Sequence, residues 1–223
     1  MAQTPTGEGA DTWEKVLFLF LGWLLATLSP IIADAIRRRR DTKEVKGALL
    51  AELGELKYRM VVASYYANMR FGSIDRAFLQ WLRGVVAVYR GPAPAENLLK
   101  ALDMQLSLSE QALSALLASE RSQGKSGLTL KKYAVPLLDA RLAVLTSLPT
   151  SIQVLLLEVR AHLRMLDEEV DDARYYFQLT FDPKVAGTNR QAVEQNLENG
   201  YRQYGDRARI VAEKIAKLEQ AWV

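Results

Sequence analysis

Eighteen consecutive residues, Val16 to Ala33, read VLFLFLGWLLATLSPIIA without a single charge. A helix built from such a run has no polar face to leave in water, so it needs a large core or a bilayer around it. Extended to Ile36, the run makes about 31 Å of helix at 1.5 Å per residue, close to the thickness of a hydrocarbon core. Trp13 stands just before it, where an indole suits the headgroup region. Pro30 falls in the last turns, where a proline kinks a helix, and Asp34 falls near the far interface. The longest rival, SIQVLLLEV at 151–159, is already interrupted by Gln153. One membrane helix over 13–36 is expected.

The flanks orient it. Lys15 is the one basic residue upstream, whereas Arg37, Arg38, Arg39, Arg40, Lys43 and Lys46 follow. The excess of cations on the cytoplasmic side of membrane helices then predicts a single-pass protein of the cell membrane. A short extracytoplasmic tail (1–12) lies outside, a basic juxtamembrane segment (37–46) follows the span, and a helical domain (47–223) is cytoplasmic. Ala33-Asp34-Ala35 imitates a signal-peptide cleavage site. The acidic start of the chain, the length of the run and the four arginines that would open the mature protein all oppose that reading. Arg37–Arg40 are read either as fixing topology alone or as also offering cations to anionic lipid headgroups. Gly22 and Ala26 form a small-xxx-small pair of the kind that lets two membrane helices approach.

Dividing the charge along the chain disposes of nucleic acid as a partner. Residues 1–36 carry Glu8, Asp11, Glu14 and Asp34 against Lys15, a net −3, and the arginine run adds +4. The remainder is nearly neutral, with 24 basic and 22 acidic residues. The basic pI thus comes from one local cluster, and no stripe for neutralising phosphates is indicated. The absence of cysteine excludes disulfides, thiolate metal sites and cysteine nucleophiles, and a single histidine excludes any two-histidine metal site within the chain.

Beyond the arginines the sequence reads as helix almost throughout. Leu49, Leu53, Leu56, Met60, Ala63, Ala67 and Phe71 alternate spacings of three and four, which is one helical face. A second helix spans Ile74–Tyr89 and stops at the turn sequence Arg90-Gly91-Pro92-Ala93-Pro94; a third restarts near Ala95. Ser107 and Glu110 form a capping box for a helix reaching about Arg121. Ser122–Gly127 reads as a loop, Ser126–Val135 as an extended stretch, and Leu137–Leu148 as a short helix stopped by Pro149. A long stripe follows from Thr150: Ile152, Leu155, Val159, Leu163, Leu166, Val170, Ala173 and Phe177. Thr188 and Gln191 make another capping box, opening a last helix with the stripe Val193, Leu197, Tyr201, Tyr204, Ala208, Val211, Ile215, Leu218 and Trp222. Three long helices of about 45 Å predict an all-α chain, an N-terminal transmembrane helix followed by an elongated antiparallel bundle. The same stripes also suit coiled-coil seams between subunits.

Chemistry is sparse. Gly124-Lys125-Ser126 imitates the end of a P-loop, but Ser119 stands where the first glycine belongs and a helix precedes it instead of a strand. Glu158 and His162 sit four apart, whereas di-iron bundles use three and need a second histidine. The acidic run Asp167, Glu168, Glu169, Asp171, Asp172 places like charges four apart, at a small cost in helix stability. Asp167, Glu168, Asp171 and Asp172 are therefore a candidate acidic face, for a hard cation, a basic partner, or Arg202, Arg207 and Arg209 of the last helix. Adjacent aromatics at Tyr65-Tyr66 and Tyr175-Tyr176-Phe177 put rings on two sides of their helices, which points to contacts beyond one seam. No catalytic residue, cofactor or small-molecule substrate is indicated. The function expected is a membrane-anchored, non-enzymatic interaction module with a protein partner or a second copy of itself. The alternative is a membrane effector that couples a change in the bundle to the bilayer.

Overall fold

The structure, a computed structural model, describes residues 8–123, 128–140 and 148–222. In the first 42 residues the described side chains are those of Trp13, residues 16–29, Ala33 and Arg40. Most of the described residues are helical, and none of them is in a strand. The chain divides into two compact units, Met1–Gly47 and Ala48–Val223. Helix α1 (Glu8–Arg70) contains the uncharged run, and the first predicted stripe lies on it as far as Ala67.

Within that unit, α2 (Arg76–Val88) packs on α3 (Glu96–Ser107), followed by α4 (Glu110–Gln123) and the short α5 (Pro136–Ala140). Two long helices close the chain, α6 (Thr150–Leu179) and α7 (Thr188–Trp222), packed against each other along their length. Their register is antiparallel: Gly200 faces Ala173, Arg207 faces Glu169 and Lys214 pairs with Glu158. Against α1, α7 also runs antiparallel, with Tyr201 stacked on Phe71, Gly205 against Ala67 and Lys57 paired with Glu219. The core lies among these three helices, where Leu53, Met60, Leu156, Leu166, Ile215 and Leu218 are wholly enclosed.

The stripes predicted from spacing are mostly the buried ones, with local corrections. On α6 it is Leu156 that is fully buried, whereas Leu155 is half-buried and Phe177 is exposed, because the helix meets its neighbours one residue further round. The capping box expected at Ser107 is not formed. Ser107 ends α3, its hydroxyl donating to Met104 O (2.7 Å), and Ser109 caps α4 by accepting from Ala112 N (3.2 Å). At α7, Gln191 N donates to Gly187 O (3.3 Å), so Gly187, with φ at +58°, stands at the cap and Thr188 is already helical. That left-handed backbone is one a glycine adopts without strain.

Residues 128–135 form no strand; they run as irregular backbone across the long helices. Side chains supply the partners that a sheet would have given: Tyr204 Oη donates to Lys131 O (3.1 Å), and Glu52 accepts from Leu137 N (2.9 Å) and Leu138 N (3.1 Å) at the start of α5. The expected helix over 137–148 is α5 as far as Ala140, with residues 141–147 outside the described ones. Gly124-Lys125-Ser126 also lies outside them.

Candidate functional site

Two surfaces carry the residues singled out from sequence. The first is the N-terminal part of α1. Val16, Leu17, Phe18, Leu19, Phe20 and Leu21 are all exposed, and successive helical residues turn by about 100°, so bare apolar side chains surround the axis. Trp13 is 76% exposed and Leu25 66%. The Thr27 hydroxyl is satisfied within its own helix: Oγ1 lies 3.0 Å from both Trp23 O and Leu24 O. A Cβ added at Gly22 would meet nothing within 4 Å, and Ala26 is exposed. Arg40 lies beside Glu44 (3.3 Å) with both side chains in solvent, a pair of little energetic weight. The side chains of Arg37, Arg38 and Arg39 lie outside the described ones.

Among the described residues, no helix is long and apolar enough to cross a membrane. The described side chains of the uncharged run stop at Ser29 and resume at Ala33, leaving out Pro30, Ile31 and Ile32. The expected membrane helix over 13–36 is thus not supplied by the described residues.

The second surface is the acidic run on α6, and the structure disperses it. Asp171 binds Lys132 Nζ at 2.6 Å and lies 4.0 Å from Arg174. Asp167 turns toward the same 128–135 segment. Burial raises its carboxyl above the usual range against the opposing pull of Lys132, and its Oδ1 is enclosed without a partner. Glu169 turns to α7, where it meets Arg207 (3.4 Å) and the Gln203 amide (2.9 Å, in the orientation that satisfies the amide). Burial pushes this carboxyl up as well. Glu168 pairs in solvent with Arg164 (3.6 Å), and Asp172 is exposed. Successive helical positions point in different directions, so five acids in six residues do not converge on one ion. Of the three arginines considered opposite, Arg207 alone meets the run. Arg202 donates to Phe71 O (3.0 Å); Arg209 pairs with Glu213 and lies over the Phe78 and Trp81 rings.

His162 sits between α6 and α7 with its Nδ1 enclosed and unpartnered. Burial, then the cations Lys214 and Arg207, hold its pKa below the usual histidine value, while Glu158 opposes them. Lys214 takes Glu158 as its partner (2.8 Å). No group of three or more metal-ligating side chains is assembled among the described residues.

The aromatic pairs divide as helical geometry requires. Tyr65 is buried, its hydroxyl accepting from Gln105 Nε2 (2.7 Å), and Tyr66 is exposed. Near the end of α6, Tyr175 and Phe177 are exposed and Tyr176 is half-buried. Phe181, in the turn before α7, is 72% exposed and packs its ring edge to face on Phe177. It escapes the sequence reading because it stands in the turn sequence Thr180-Phe181-Asp182-Pro183, where no periodicity marks a face. No family model matches the chain, and no curated protein or solved structure matches it significantly.

Proposed function

We propose that this chain is a single-pass, membrane-anchored interaction module, held by the N-terminal part of α1 with its bundle at the cytoplasmic face. The observation that carries the reading is the ring of exposed leucine, phenylalanine and tryptophan side chains around α1 between Trp13 and Leu28. Soluble helices bury one face and expose the other, whereas here no face is polar. The uncharged sequence from Val16 to Ala33 supplies the length, and the basic residues that follow supply the orientation. An interaction role, in place of a catalytic one, is supported by the use made of the ionisable groups. Asp171, Glu169 and Glu158 are engaged in tying elements of the bundle together. Anionic headgroups beside Arg37–Arg40 are the lipid contact this reading implies.

The experiment is fractionation of the full chain in cells, followed by alkaline carbonate extraction. An integral protein stays in the pellet and needs detergent for release. The Leu21→Arg/Leu25→Arg variant should become extractable, because each arginine near the centre of a span costs about 2.5–3.5 kcal/mol on insertion scales. Extraction of the unaltered chain by carbonate alone sinks the proposal. Since the chain has no cysteine, single cysteines placed at Thr6 and at Lys217 report topology by labelling with an impermeant maleimide. Only the first should label from outside.

A further inference from the structure

Where α1, α4 and α6 end and α7 begins, the fold leaves an aromatic surface bare. Phe181 stands 72% exposed, with Phe177 (43%) beneath its edge at a ring distance of 5.1 Å. The two rings form part of the wall of a cavity of about 540 Å³. Its apolar lining includes Leu197 of α7 and Phe71, whose ring stacks on Tyr201 at 4.5 Å. Its charged residues are segregated by element: Arg70 of α1 and Arg121 of α4 are basic, whereas Glu198 and Glu194 of α7 are acidic, Glu194 lying 3.3 Å from Arg190 in an exposed pair.

We propose that this end of the bundle is a homodimer interface, in which Phe181 of each copy enters the cavity of the other. A two-fold contact requires one patch to present both the knob and the hole, and this patch does. It also requires the charges to be self-complementary. A patch of one sign repels its own copy, whereas a basic side and an acidic side pair crosswise: Arg121 of one copy meets the glutamates of the other. Aromatic and arginine side chains around an apolar centre are the composition of interface anchors. All the residues involved belong to the second unit, so the proposal stands or falls independently of membrane anchoring.

The test uses the full chain in mild detergent, with mass measured by light scattering across a dilution series. A dimer is expected, and Phe181→Asp should weaken it by roughly 30-fold or more, the effect of losing one anchor residue. Helical circular dichroism should not change, since the ring is already in solvent. Arg121→Glu should weaken the dimer, and Arg121→Glu/Glu194→Arg should restore part of it. A photoreactive phenylalanine analogue at position 181, in a mixture of isotopically light and heavy chains, should crosslink between copies to the peptide containing Leu197. A monomer at every concentration overturns the proposal, as does a dimer indifferent to Phe181→Asp, which would place self-association elsewhere, such as Gly22 and Ala26. Crosslinking to lipid also overturns it by assigning the patch to a bilayer.

Discussion

Gly205 of α7 lies where that helix crosses α1, and replacing it with alanine sets two known effects against each other. A Cβ built there falls 2.9 Å from Ala67 Cβ and 3.0 Å from Asn68 Nδ2. Neither neighbour can step aside. Ala67 has no side-chain torsion to turn, and Asn68 is 3% exposed with its amide bonded to Ser64 Oγ (3.2 Å). The helices must therefore move apart, and overpacking of this kind costs about 1–3 kcal/mol. Removing a glycine from a helix interior returns about 0.8–1 kcal/mol. The sum leaves Gly205→Ala destabilised by up to about 2 kcal/mol. Gly200, on the same helix, supplies the control. Its added Cβ would lie 3.7 Å from Ala173 Cβ, an ordinary contact, so the propensity gain is unopposed and Gly200→Ala should be about 1 kcal/mol more stable than the parent. The two variants should differ by about 1–3 kcal/mol, which for a domain of this size is about 2–4 °C in Tm per kcal/mol. Urea and thermal unfolding of the full chain, followed by circular dichroism in one detergent, measure it. Ala67→Gly introduced into the Gly205→Ala chain should recover more than additivity allows, because it removes the colliding atom. If Gly205→Ala proves as stable as Gly200→Ala, the close α1–α7 crossing is wrong.

Other expectations follow from single contacts. Ser109→Ala should cost about 1 kcal/mol by unfolding the first turn of α4, whereas Ser107→Ala should stay within about 0.5 kcal/mol of the parent; equal effects would return the cap to Ser107. Leu156→Ala should cost about 2–5 kcal/mol and Leu155→Ala distinctly less, since only Leu156 is fully enclosed. The one histidine allows its titration to be read alone by NMR. Because its folded pKa is depressed, its contribution is complete above the unfolded value of about 6.5 and lost as pH falls through the lower folded value. Stability should therefore decline on acidification in this range by a component that His162→Gln removes; a folded pKa at or above 6.5 contradicts the burial of the ring near the cations Lys214 and Arg207.

Periodicity carried the last two helices because each buries one main stripe, and that repeat is written directly into residue spacing; α1 buries Val61, Ser64 and Tyr65 as well, beyond the face its spacing marks. The stripe of α7 is an example: eight of its nine predicted positions are buried, with Leu197 half-buried beside the end cavity. The misreadings occurred where the choice is between adjacent residues. Leu155 and Leu156 are the same residue type, and only the rotation of α6 within the packed bundle decides which is enclosed. Ser107 and Ser109 both stand before α4, and the choice between them is decided by where α3 stops, two residues earlier in the chain than the cap. The acidic run is hard to read for a different reason. Sequence shows five neighbouring charges, but their partners, Lys132 and Arg207, come from segments more than thirty residues away on either side. Phe181 left no trace at all, since an isolated aromatic in a turn has no period.

The bare apolar surface of this chain is of two kinds, and the difference bears on what covers each. Around α1 between Val16 and Leu28 the exposed side chains encircle the axis, and no charged residue interrupts them. A protein partner would cover one side of such a helix and leave the other to water, whereas lipid covers all sides without requiring a matching charge. At the end of the bundle the exposed rings are confined to one patch, and charges of both signs stand within the cavity wall beside them. Lipid hydrocarbon would penalise those charges, but a protein surface can pair them. The same test therefore separates the two surfaces. Charge introduced on α1 should release the chain from membranes without altering association of the bundle. Charge introduced at Phe181 should alter association and leave the chain in the membrane.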